Sequence, residues 1–90
     1  MTGKEIQTAV IEKYGKQHQT FVAIEEMAEL TKELTKNIRG NDNREGIIEE
    51  MADVYICLNQ MQLIHGIGLN EIVEMMEKKF KRTEERLANG

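Results

Sequence analysis

The segment from Arg44 to His65 most constrains how this chain can fold. It is apolar on almost every side, with Ile47, Ile48, Met51, Val54, Tyr55, Ile56, Leu58, Met61, Leu63 and Ile64 distributed around a helical projection. A helix of that kind has to be covered on several sides. It nevertheless carries Glu50 and Asp53. Taking Ile47 as the origin and about 100° per residue, Glu50 falls at about 300° and Asp53 at about 240°. Glu50 then lies between Cys57 and Met61, and Asp53 beside Ile64, within an otherwise apolar arc. An ionised carboxylate in such surroundings is strongly disfavoured unless something compensates for it.

The remainder of the chain reads as helix of the same sort. Thr2 is placed to cap a first helix in which Ile6, Ala9, Val10 and Tyr14 recur at helical spacing, and Gly15 is placed to end it. A second helix is expected from about Gln19 to Ile38, with Phe21, Ile24, Met27, Leu30, Leu34 and Ile38 on one face. The turn formers of Arg39-Gly40-Asn41-Asp42-Asn43 separate it from the third, which stops at Gly66. Asn70 is placed to cap a fourth helix from Glu71 to about Ala88, with a stripe of Ile72, Val73, Met76, Phe80 and Leu87. There is no proline, and no alternation of period two. The expectation is a single all-α domain over residues 1–90, a four-helix chain forming a bundle. Ninety residues bury little surface, and the single cysteine permits no internal disulfide, so completion of the bundle by oligomerisation is expected. Cys57, set in an apolar run, reads as core filler.

Charge and hydropathy narrow the function. A net charge of −4 argues against a general partner of nucleic-acid polymers, which need a basic footprint. No apolar run approaches the length of a membrane span, so no membrane partner is expected. The lone cysteine and the absence of a signal-peptide pattern fit a cytoplasmic protein.

The second helix has acids of its own. Glu26, Glu29 and Glu33 follow i, i+3, i+7 spacing beside the apolar face, with Glu25 at the outer edge. Residues three apart on a helix are neighbours, so Glu26/Glu29 and Glu50/Asp53 can each present two converging carboxylates. The short connection favours antiparallel packing of the two helices, which lets the pairs meet. Carboxylates facing one another need cations between them. Lys32, Lys36 and Arg44 occupy outward positions, whereas Mg²⁺, or Mn²⁺ in its place, takes oxygen donors of this kind. His18 and His65 lie off the acidic faces and Cys57 is alone, which disfavours zinc. The plainer reading of a Glu-rich helix is a solvated face; the embedded Glu50 and Asp53 are what favour metal. On the fourth helix Lys79, Thr83 and Arg86 share a face, either as cations lying over the core with their heads in water or as clamps for phosphate oxygens.

The segments Glu25-Glu26-Met27-Ala28-Glu29 and Glu49-Glu50-Met51-Ala52-Asp53 resemble the EExxE…ExxD signature of the MazG-like all-α nucleoside triphosphate pyrophosphohydrolases. Tyr14-Gly15-Lys16-Gln17-His18-Gln19 is similar to the aromatic-Gly…Gln element that precedes the first motif there, with Tyr14 where many members have tryptophan. The resemblance spans nearly the whole chain. It implies hydrolysis of a (d)NTP to a nucleoside monophosphate and pyrophosphate. It further implies Glu26, Glu29, Glu50 and Asp53 as Mg²⁺ ligands and Glu25 or Glu29 as the carboxylate that orients or deprotonates water. Gln19 would contact substrate, Lys79 and Arg86 would hold phosphates, and the assembly would be a homodimer or homotetramer. Two rivals stand beside this reading: a phosphoribosyl-ATP pyrophosphohydrolase-like activity, and a non-catalytic helical dimerisation or adaptor module. A ferritin-like di-iron bundle is set aside, because no Glu-x-x-His pair exists.

Overall fold

The computed structural model describes residues 1–90 as four helices: α1 (Gly3–Tyr14), α2 (Lys16–Ile38), α3 (Arg44–His65) and α4 (Leu69–Asn89). No residue is in a strand. The all-helical expectation therefore holds, and no helix is long and apolar enough to cross a membrane.

Local chemistry explains the boundaries. The Oγ1 of Thr2 accepts from the Glu5 N–H at 3.1 Å while the Glu5 carboxylate accepts from the Thr2 N–H at 3.2 Å, closing a capping box on α1. Gly15 then turns the chain at φ 92, a conformation suited to glycine, and its N–H reaches the Ile11 carbonyl at 2.8 Å. Because this elbow is a single residue, α2 starts at Lys16 rather than at Gln19. Apolar periodicity did not reveal that first turn because Lys16, Gln17 and His18 are helical but solvent-facing. At α4 the cap position belongs to Gly68, whose N–H donates to the Glu71 carboxylate at 2.8 Å, and Asn70 lies inside the first turn.

α2 and α3 form an antiparallel hairpin, and α1 packs across both. One end of the hairpin is closed by Asn43. Its side chain makes no bond to the start of α3, as an N-cap would; it reaches back, donating to the Glu33 carbonyl at 2.8 Å and to the Glu33 carboxylate at 2.6 Å. Gly46 makes the close approach possible: a Cβ there would lie 2.8 Å from a Glu33 carboxylate oxygen. The other end is closed by Gln19, whose amide donates to the Gln60 side-chain oxygen at 2.9 Å. Between these two clasps the register is set.

The core is thin. Only four of the ninety residues, Gln19, Ala23, Cys57 and Gln60, are buried. Cys57 fills the core as expected. The apolar sides of α3 are not covered within one chain, since Ile48, Tyr55, Ile56 and Leu58 all remain exposed. α4 leaves the hairpin through the Gly66–Gly68 turn, and none of its residues is buried.

The clasp at Asn43 predicts an unusual sensitivity. Aspartate is ordinarily as good an N-cap as asparagine. Here Asn43→Asp would replace a donor by an acid facing the Glu33 carboxylate. Thermal unfolding should show a melting temperature lowered by at least about 4–8 °C, because both donated hydrogen bonds are lost and each is worth roughly 1 kcal/mol in a domain of this size. An unchanged melting temperature would mean that Asn43 acts as an ordinary cap.

Candidate metal centre

The hairpin register places Glu26 of α2 across from Glu50 and Asp53 of α3. One carboxylate oxygen from each of the three lies within 4.8 Å of the others. All three side chains are partly buried, and Glu50 Oε2 is shut off from solvent with no hydrogen-bond partner. Buried polar atoms are nearly always paired, so this oxygen is exceptional.

The electrostatics are those of acids crowded together. Burial pushes the Glu26 carboxyl above its ordinary value, and the neighbouring charges of Asp53 and then Glu50 push it further. Burial also raises Glu50, with the charge of Asp53 next; a hydrogen bond from Glu26 pulls the other way, and the charges of Glu29 and Glu49 add a further upward push. In the absence of a cation, a proton held by Glu26 and shared with Glu50 relieves part of the repulsion. Cys57, one turn beyond Asp53, feels the same site: burial first, then the charges of Glu26 and Asp53, push its thiol upward. It stays protonated and is a poor ligand for soft metals. The donor set is three carboxylates, which suits a hard divalent cation.

The other residues singled out from the sequence fall into three groups. Glu29 is close enough for its charge to act on Glu50, but its side chain is half exposed and pairs with Lys32 at 3.5 Å. Glu25 is exposed on the outer edge of α2. Glu33, grouped with these acids by spacing, belongs to the Asn43 clasp instead, and that hydrogen bond holds its carboxyl below the ordinary value. Gln19 lies one clasp away, buried, with its oxygen 2.8 Å from His18 Nδ1 and its amide nitrogen on Gln60. Lys79 and Arg86 are exposed on α4, form no ion pair and are not brought to the carboxylates within one chain. A cleft of about 570 Å³ lies elsewhere, where Lys4 and Gln7 of α1 face Asn59 and Gln62 of α3.

Two structural participants escaped the sequence reading. Gln60 is polar yet buried, and only pairing with Gln19 shows why. Gly46 looks like a weak point in a helix, and its use appears only once Glu33 is seen against it.

The raised carboxyls predict a pH dependence with a definite sign. Unfolded, Glu26 and Glu50 lose their protons near 4.5; folded, they hold them to higher pH. Between those limits the native state binds more protons, so stability falls as pH rises. For the metal-free protein, melting temperature should therefore decline from pH 4.5 toward neutrality. Glu50→Gln, an uncharged isostere, should flatten this slope and melt higher than wild type at neutral pH. Parallel pH profiles for the two proteins would show that the carboxylates do not repel as described.

No protein family, no curated protein and no solved structure matches this chain.

Proposed function

We propose that this chain is a Mg²⁺-dependent nucleoside triphosphate pyrophosphohydrolase, cleaving a (d)NTP between its α- and β-phosphates to release a nucleoside monophosphate and pyrophosphate. The observation that carries the reading is the convergence of Glu26, Glu50 and Asp53 from two helices, with Glu50 Oε2 buried and unpartnered. The residues present fit a hard dication: every donor is a carboxylate oxygen, the adjacent thiol is protonated, and the orphaned oxygen has no protein donor to satisfy it.

In this reading Glu26, Glu50 and Asp53 hold Mg²⁺, or Mn²⁺ in its place, with Glu29 as the fourth carboxylate. The bound ion supplies positive charge that lets an acidic site accept a polyphosphate and makes a bound water more acidic. The chain's own contribution is placement and proton handling. Glu29 is held only by a surface pair with Lys32, a contact of little energy, so its carboxylate is free to accept the proton of an attacking water. Glu25 is the alternative acceptor. Gln19, fixed by Gln60, retains one amide N–H for a substrate atom, while also holding the helices that carry the acids in register. Lys79 and Arg86 carry no weight here, because α4 packs against neither α2 nor α3. A homodimer or homotetramer belongs to the same proposal, since Phe21 and Ile24 of α2 and Tyr55 and Ile56 of α3 are uncovered in one chain.

Those same exposed side chains favour one other reading, a helical interaction module without catalysis. Metal and turnover separate the two. Millimolar Mg²⁺ or Mn²⁺ should raise the melting temperature of the wild type at neutral pH and leave Glu50→Gln unmoved. Pyrophosphate release, measured over common and damaged nucleoside triphosphates and phosphoribosyl-ATP, should be present in the wild type. Glu50→Gln should reduce it at least about a hundredfold with helicity unchanged. Wild-type turnover in that variant would overturn the assignment of Glu50, and a chain that ignores both metals and every substrate would leave the interaction module as the better account.

A further inference from the structure

α4 is the amphipathic element that the rest of the chain leaves bare, and its sequence is patterned for a partner of one kind. Leu69, Val73, Met76, Phe80, Thr83 and Leu87 fall at alternating d and a positions of a seven-residue repeat, sustained over the length of the helix. All six are exposed, Phe80 at 64% and Leu87 at 78%. Thr83 does not break the seam: its hydroxyl donates to the Lys79 carbonyl at 2.9 Å, which leaves its methyl group to pack. Along one flank, at g positions, stand Lys79 and Arg86; along the other, at e positions, stand Glu77 and Glu84.

That division of charge selects an orientation. In a parallel pair a g residue faces the e residue of the following heptad on the other helix. Lys79 of each copy would face Glu84 of the other, twice by symmetry. In an antiparallel pair g faces g and e faces e, so cations would meet cations and acids would meet acids. The outer surface of α4 mixes Glu71, Glu74 and Glu85 with Lys78 and Lys81, which does not suit adsorption to an anionic membrane.

The area agrees. The chain exposes 7307 Å², whereas a folded monomer of 10.4 kDa exposes about 5,400 Å². The excess, about 1,900 Å² over the whole chain and shared between α4 and the bare faces of α2 and α3, leaves room for the roughly 800 Å² per partner that a stable interface hides.

We propose that α4 forms a parallel two-stranded coiled coil with α4 of a second copy of this chain, Lys79 of each facing Glu84 of the other. The two Gly66 turns then lie side by side at one end of the coil, and the two hairpins diverge from it. The inference adds to the oligomer put forward above a contact at α4, with its orientation; Phe21, Ile24, Tyr55 and Ile56 of the diverging hairpins stay available for a second contact, and the metal chemistry does not enter.

The test uses the full chain, with sedimentation equilibrium for association and circular dichroism to confirm unchanged helicity. Wild type should be dimeric or a multiple of dimers. Lys79→Glu should weaken association about tenfold, Glu84→Lys likewise, and the double variant should restore it. The two single variants, mixed, should prefer each other to themselves. Leu87→Cys should form an intermolecular disulfide between like positions, as only the parallel arrangement allows. A wild type that stays monomeric at 100-fold the micromolar range would sink both this inference and the proposed oligomer. An oligomer that Lys79→Glu tightens or leaves unchanged, or in which Leu87→Cys does not cross-link, would overturn the coiled coil alone. Neither outcome bears on pyrophosphate release.

Discussion

Asn43 donates backward from the start of α3 to the carbonyl and carboxylate of Glu33, and Gln19 donates across to Gln60 at the far end of the same pair of helices. With so thin a core, side-chain packing alone would fix the sliding of two helices weakly. Directional hydrogen bonds at both ends fix it instead, and the partly buried pairing of Glu26 with Glu50 and Asp53 follows from that register. A shift of one residue on either helix would rotate an acid by about 100° and disperse the cluster.

The site is thus an electrostatic liability maintained by polar clasps. Three carboxylates share a space that desolvates them, and one oxygen of Glu50 has no donor. Such an arrangement raises the cost of keeping all three carboxylates ionised, and a proton taken up within the cluster lowers it. Glu33 shows the contrast a few residues away: given an amide donor, an acid of the same helix is held low rather than high. Environment, not residue type, separates the two behaviours.

Exposed apolar surface is the second organising fact. One chain hides only four residues, and its most amphipathic helix touches little of the remainder. A small chain can tolerate this if copies cover one another, because association then supplies the burial that length denies. Stability and assembly would be linked in such a molecule, and helices that look peripheral in one chain would be central in the assembly.

Much of the architecture was legible in the residues alone. The cap at Thr2 and the stops at Gly15 and Gly66 are local devices, governed by neighbours a few positions away, and helical periodicity is equally local. The misfit of Glu50 and Asp53 on an apolar helix was legible too, since it needs only the angle per residue. What lay beyond the sequence were the relations between helices. That Glu33 belongs to a clasp and not to the cluster depends on where α3 begins in space. That Gly46 is a point of contact, that Gln60 is buried for Gln19, and that Lys79 and Arg86 stand apart from the acids depend on packing as well. Periodicity states which face of a helix is apolar; only the tertiary structure decides what that face meets, because register and crossing come from contacts between residues far apart in the chain.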